Sequence, residues 1–161
     1  NCKAVLDSFT NNFGQNILLS NGTLNRKKVS DIFFFNSKAR FMIEKILHPY
    51  IISYINEEIF RYKISNNCTL VLINAPLIFE VGLNRICDKV IVVWAPYDVQ
   101  INRLIIRDKF DIYRAKKIID IQMSTKKKIE LADFVIDNSG SKIDLKKKVW
   151  NLFKLLTYNI R

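Results

Sequence analysis

Residues 69–95 read TLVLINAPLIFEVGLNRICDKVIVVWA, and two apolar runs inside that stretch decide the fold. Thr69–Ala75 (TLVLINA) and Lys89–Ala95 (KVIVVWA) are short, rich in β-branched residues, and followed directly by Pro76 and Pro96. A strand with one wet face alternates apolar and polar residues. A nearly continuous apolar strand is buried on both faces, as in a parallel sheet covered by helices. Asp133–Asp137 (DFVID) has the look of a third strand. Between the second and third runs lie helical stretches at Tyr97–Asp108, Asp111–Ile121 and Thr125–Ala132, and a last helix spans Lys142–Tyr158. Strands alternating with helices predict an α/β fold around an open sheet. Ligands of such sheets bind beyond the carboxyl ends of the strands. Ala75-Pro76, Ala95-Pro96 and Asp137-Asn138 are therefore expected to share one edge.

Upstream of this stretch the character is helical, and it changes at Asn66-Asn67. Val5, Phe9 and Phe13 recur at helical spacing, with Gly14 as a stop. Asn21-Gly22-Thr23 reads as a turn. Asn25 is placed to cap a short helix through Phe34, and Asn36 a second through Leu47. His48-Pro49 is expected to break the chain and open a third helix to about Ile64, since Pro is tolerated in a first turn.

The 161 residues fit one domain, or one core with an inserted subdomain. Apolar residues make up 49%, too many for intrinsic disorder, and no run approaches the roughly 18 residues of a membrane span. A soluble protein with no membrane partner is expected. Lys and Arg exceed Asp and Glu by 26 to 15, a formal charge of +11. The charge fits either a basic surface serving an anionic small ligand or a polyanion partner. The joint richness in Ile, Asn and Lys also suits an A- and T-rich coding bias. Cys2, Cys68 and Cys87 are far apart and the single His48 cannot complete a zinc site with them, so reduced cytosolic thiols are expected. The triplets Asn21-Gly22-Thr23 and Asn67-Cys68-Thr69 match the glycosylation pattern by chance in so Asn-rich a chain.

Three local patterns bear on chemistry. In QINRLIIRD, Gln100–Asp108, Arg103 and Arg107 are four residues apart and share a helix face. Two guanidiniums there suit a polyphosphate clamp, or a surface helix paired through Asp108 or Asp98. DNSGS, Asp137–Ser141, joins the third strand to the last helix. Asn138 and Gly140 there suit a tight loop against a flat ligand such as adenine, or a turn with an N-cap. In INAPLIFEVGL, Ile73–Leu83, Glu80 stands beyond the sheet edge, where it orders a ligand or is merely solvated. His48 is a candidate anion contact at a helix start, and Arg26 a further basic candidate. Arg114, Lys116, Lys117, Lys126, Lys127 and Lys128 make segment 108–128 a basic flap or a solvated hairpin.

Jointly, FGQNILLSNGTLNRKKVSDIFF, HPYI, VLINAPLIFEVGL, DKVIVVWAPYDVQINRLIIRD and IQMSTKKKIELADFVIDNSGS resemble the dephospho-CoA kinase family, in family order and over nearly the whole chain. The resemblance implies a P-loop NTPase-like parallel sheet flanked by helices. It implies a helical acceptor-side region at 1–66, core at 67–98, a helical lid at 99–128 and core again at 129–161. It implies transfer of the ATP γ-phosphoryl, with Mg²⁺, to the ribose 3′-hydroxyl of dephospho-CoA, the last step of coenzyme A synthesis, in the cytoplasm. ATP and dephospho-CoA would be the partners, and no nucleic acid. By the resemblance Arg103 and Arg107 contact the transferring phosphates, Asn138 lies at the adenine with Gly140 in the same loop, and Arg26, His48 and Glu80 lie near dephospho-CoA. No residue of this stretch is assigned to a metal.

The family opens with a strand, a GxxxxGK loop followed by Ser or Thr, a helix, and an Asp segment carrying the catalytic carboxylate. Here the glycines stand at 14, 22, 82 and 140, and no two are five apart. The first strand and P-loop are thus absent from the 161 residues. The expectation is an N-terminally truncated stretch of a kinase, inactive alone. The alternatives are a catalytically dead remnant that binds CoA-like ligands and a basic nucleic-acid-binding module. Lys117 stands where the family usually has Arg, which keeps the charge and loses the fork.

Overall fold

The computed structural model describes residues 3–64 and 70–158. Cys2, the composition change at Asn66-Asn67, Cys68 and Thr69 lie outside the described residues. The chain divides into two compact units, Asn1–Ile64 and Ser65–Arg161.

In the first unit, α1 (Lys3–Phe13), α2 (Arg26–Phe35) and α3 (Ser37–Ile64) surround buried Phe9, Ile17 and Ile43. Val5, Phe13, Leu24, Val29 and Leu47 pack against these three. Gly14, at φ 79°, follows α1 in a backbone conformation that other residues rarely adopt. The Asn21-Gly22-Thr23 turn is built by the Asn21 carboxamide, whose Oδ1 accepts from both the backbone N–H and the hydroxyl of Thr23. Asn25 caps α2 by accepting from Lys28 N at 3.1 Å, and Asn36 caps α3 by accepting from Ala39 N at 3.0 Å. The expected break at His48-Pro49 does not occur, because α3 runs straight through Pro49. Proline removes the hydrogen bond to the carbonyl four residues back. Lys45 and Pro49 are both exposed, so that loss falls on the solvent side and the flanking turns carry the helix across it.

In the second unit, β1 (Ile91–Trp94) and β2 (Phe134–Asp137) pair in parallel, with Ile91 opposite Phe134 and Trp94 opposite Asp137. The intervening chain forms α4 (Tyr97–Asp108), α5 (Ile112–Asp120) and α6 (Thr125–Leu131), and α7 (Lys142–Tyr158) follows β2. Val90, Val92, Ala95, Ile101, Ala115 and Ile136 are buried here. The first apolar run departs from expectation: Leu70–Ala75 forms no strand. Strand composition is not strand structure, which needs a paired neighbour. The strands of the described residues are β1 and β2, this run lies outside that pair, and Leu72 is 76% exposed.

Each end of the strand pair is pinned by a carboxylate. At the amino end, Asp133 accepts from Val90 N at 2.8 Å and from Lys89 Nζ at 3.0 Å. The Val90 N–H first, then the lysine, holds this carboxyl below its ordinary range. At the carboxyl end, Lys148 of α7 donates to both the backbone oxygen and Oδ2 of Asp137, at 2.9 and 3.1 Å. Hydrogen bonding from Ser139 and then from Lys148 lowers Asp137 from 3.8 to about 2. No described helix is long and apolar enough to cross a membrane.

Two measurements check these supports. Asn25→Ala is expected to destabilise the protein by about 1 kcal/mol in a urea titration; an unchanged midpoint would contradict the cap. Asp137 has a folded value below its unfolded one, so its stabilisation is complete above 3.8 and lost as pH falls toward 2. Asp137→Asn is therefore expected to lose less stability than the wild type between pH 4 and 2. Parallel pH profiles for the two proteins would exclude the clamp.

Candidate functional site

The register Trp94–Asp137 sets the carboxyl ends of β1 and β2 side by side. The pairing continues one residue further, since Asn138 N donates to the Trp94 carbonyl at 2.8 Å. Two of the expected edge loops, at Ala95-Pro96 and at Asp137–Ser141, are thus neighbours. In the second loop, Ser139 N donates to Asp137 Oδ1 at 2.8 Å. Ser141 Oγ accepts from Asp144 N at 3.2 Å and donates to Asp144 Oδ2 at 2.6 Å, which caps α7. A side chain added at Gly140 would meet Asp144 Oδ2 at 3.7 Å, an ordinary contact, so space does not require glycine there. Asn138 and Gly140 therefore sit on a loop whose backbone is already ordered by its own neighbours.

Pro96 leads into α4. Gln100 turns back from it, donating through Nε2 to the Ala95 carbonyl at 2.7 Å. Arg103 and Arg107 follow on α4, both exposed. Arg107 places Nε and Nη2 on the two carboxylate oxygens of Asp108, at 2.9 and 2.7 Å. These hydrogen bonds hold Arg107 above and Asp108 below their ordinary values. The guanidinium is 73% exposed, so the pair is a surface pair open to exchange with another anion.

Glu80 and the α5–α6 junction meet. Glu80 Oε1 accepts from Met123 N at 2.9 Å and lies 3.1 Å from Lys128 Nζ. The same ammonium donates to the Pro76 carbonyl at 2.7 Å and to Gln122 Oε1 at 3.3 Å. At the base of the same helical excursion, the Tyr97 hydroxyl donates to Asp120 Oδ1 at 2.9 Å. That bond raises Tyr97 above its ordinary value.

Arg26 and His48 belong to the first unit. Arg26 is the exposed first residue of α2. His48 is half-buried within α3, not at a helix start as expected, because no helix begins at Pro49. The free N–H groups of a helix start are therefore not what surrounds it.

Lys128, Gln100 and Lys148 were not singled out from the sequence as working residues. Lys128 is masked by its place in the run Lys126–Lys128. The signal lies in register: with Ser124 as cap, Thr125, Lys128 and Ile129 fall on one stripe, and they are the less exposed positions, while Lys126, Lys127 and Glu130 face water.

The family described as CoaE, dephospho-CoA kinase, matches residues 1–144. A dephospho-CoA kinase of Fusobacterium nucleatum is 38% identical over 147 residues, covering 91% of this chain and 74% of that one. One from Listeria monocytogenes is 35% identical over 147 residues, covering 91% and 73%. Among solved structures, a dephospho-CoA kinase from Campylobacter jejuni superposes with a TM-score of 0.62 at 28% identity, covering 96% of this chain and 77% of that one. A Thermus thermophilus crystal structure gives a TM-score of 0.68, covering 96% and 82%; at 22% identity it speaks for the fold alone. On the extent of the family match and the identity to these relatives, the chain belongs to the dephospho-CoA kinase family.

Proposed function

We propose that this chain serves the ATP-dependent phosphorylation of the ribose 3′-hydroxyl of dephospho-CoA in the cytoplasm. The carrying observation is the Arg103–Arg107 pair on α4, which leaves the carboxyl end of β1 in a chain of this family. In the reaction the bond from the γ-phosphorus to the β,γ-bridging oxygen breaks, a bond to the 3′-oxygen forms, and the hydroxyl proton is released. Such a transfer asks the protein for positioning and for positive charge on the phosphoryl oxygens. Arg103 and Arg107 supply the charge. Arg107 exchanges the Asp108 carboxylate for phosphate oxygens, with the same two-pronged geometry. Asn138 and Gly140 border the adenine. Arg26, His48 and Glu80 belong to the dephospho-CoA side.

Mg²⁺ accompanies ATP in this proposal. Among the described residues no three His, Cys, Asp or Glu gather to hold an ion. The roles assigned to the arginines do not pass through a metal.

The assay takes the product of the complete reading frame. That product is expected to convert dephospho-CoA to coenzyme A with consumption of ATP; no conversion would overturn the proposal. Arg107→Met is expected to lower kcat/KM roughly 10³-fold, the scale of a charge that acts in phosphoryl transfer. Arg107→Lys is expected to recover only part of it, because an ammonium lacks the fork. An unchanged kcat/KM in Arg107→Met would remove that residue from the phosphates.

A further inference from the structure

Lys128 is enclosed in a way that the other lysines of its run are not. Its side chain is 15% exposed and that of its partner Glu80 is 23% exposed. An ammonium has three N–H groups. Three oxygens stand around this one: Pro76 O at 2.7 Å, Glu80 Oε1 at 3.1 Å and Gln122 Oε1 at 3.3 Å. Its donor capacity is thus matched within the protein, and no N–H is left over for a phosphate oxygen. Glu80 Oε1 in turn also takes Met123 N, at 2.9 Å. These contacts join two segments distant in sequence, the loop after the first apolar run (Pro76, Glu80) and the junction of α5 with α6 (Gln122, Met123). The latch uses Oε1 of Glu80 and leaves Oε2 outside it.

We propose that Lys128 is a positioning residue that fixes the Glu80 carboxylate for the acceptor nucleotide and ties that loop to the base of the α4–α6 excursion. It acts through Glu80 and not on the phosphates of ATP. This rests on the reading that Glu80 serves dephospho-CoA. The physical basis is the asymmetry of removing one partner. An exposed ion pair can lose a member at little cost. A half-buried carboxylate that loses its ammonium turns toward water or another donor, since leaving it unpaired is costly. Glu80 would leave its present orientation, and the Met123 amide would lose its acceptor.

The test uses the product of the complete reading frame and two readouts. In Lys128→Met, the Met123 amide is expected to exchange with solvent at least about tenfold faster. The Phe134 and Asn138 amides, bound to Val90 O and Trp94 O in the strand pair, are expected to keep their protection. In steady-state kinetics, Lys128→Met is expected to raise the KM for dephospho-CoA about tenfold and to leave that for ATP within about twofold. Glu80→Gln is expected to act in the same direction, and the double variant to be no more than about twofold worse than the worse single one, as for residues acting through one another. Unchanged exchange at Met123 overturns the latch, as does loss of protection at Phe134 and Asn138 as well, which would make Lys128 a support of the whole fold. A rise in the KM for ATP alone, or additive effects in the double variant, overturns action through Glu80. Should the wild-type protein fail to phosphorylate dephospho-CoA, the kinase reading falls and the acceptor role with it. Exchange at Met123 then still decides whether Lys128 holds Glu80.

Discussion

Trp94 stands opposite Asp137 in a parallel ladder, and that pairing obliges the chain to travel back along the sheet before it can pair again. A parallel pair cannot be closed by a tight turn. Here the return takes three helices, α4 to α6, between Tyr97 and Leu131. Both carboxyl ends then open at one edge, and the excursion begins there with Pro96 and α4. Arg103 and Arg107 lie on the helix that leaves this edge. Had the two strands been antiparallel, the DNSGS loop and the start of α4 would lie at opposite ends of the pair.

Side-chain hydrogen bonds hold the base of this excursion. Gln100 reaches back to Ala95, Tyr97 crosses to Asp120, and Lys128 joins Pro76, Glu80 and Gln122. All of these lie where α4 begins and where α5 gives way to α6. The far turn, Lys109 to Asp111, contains the one non-glycine residue with positive φ among the described residues, Lys109 at 54°. It serves as the C-cap of α4, while Asp111 caps α5 by accepting from Arg114 N at 2.8 Å. At the tip the Arg114 guanidinium also lies over the Phe110 ring, 4.8 Å from its centroid.

The helices were the most legible part of the chain. Tyr97–Asp108 and Lys142–Tyr158 have the bounds read from the sequence, because both have clear stops and apolar periodicity. Pro49 misled because a proline inside a helix costs one hydrogen bond and a steric clash, and a long helix with an exposed turn absorbs both. Leu70–Ala75 misled for the opposite reason. Its residues favour a strand, but pairing is supplied by other parts of a fold and is not written in the run itself. That Arg103 and Arg107 share one face of α4 was legible from spacing, since a four-residue interval places side chains on one face of any helix. Lys128 was not, since a local reading of three consecutive lysines does not show which of them faces Glu80, 48 positions earlier in the chain.

The formal charge of +11 gives less free positive surface than it suggests, and the difference bears on the arginines. Lys89, Lys128 and Lys148 are each committed to a carboxylate that also takes a backbone N–H, at Asp133, Glu80 and Asp137. Such carboxylates are interlocked with the backbone, and the Lys128–Glu80 pair is the most enclosed of the three. Arg107 and Asp108 are adjacent in sequence and joined to one another by the bonds between them, and the arginine side chain is 73% exposed. With the arginine side chain in water their attraction is screened. A phosphate oxygen pair offers Arg107 the same bidentate geometry with more negative charge. The division of labour follows from what each partner also holds: the lysines sit on carboxylates that take a backbone N–H and so hold the loops in place, and the Arg107 guanidinium, paired with its own sequence neighbour, stays open to another anion.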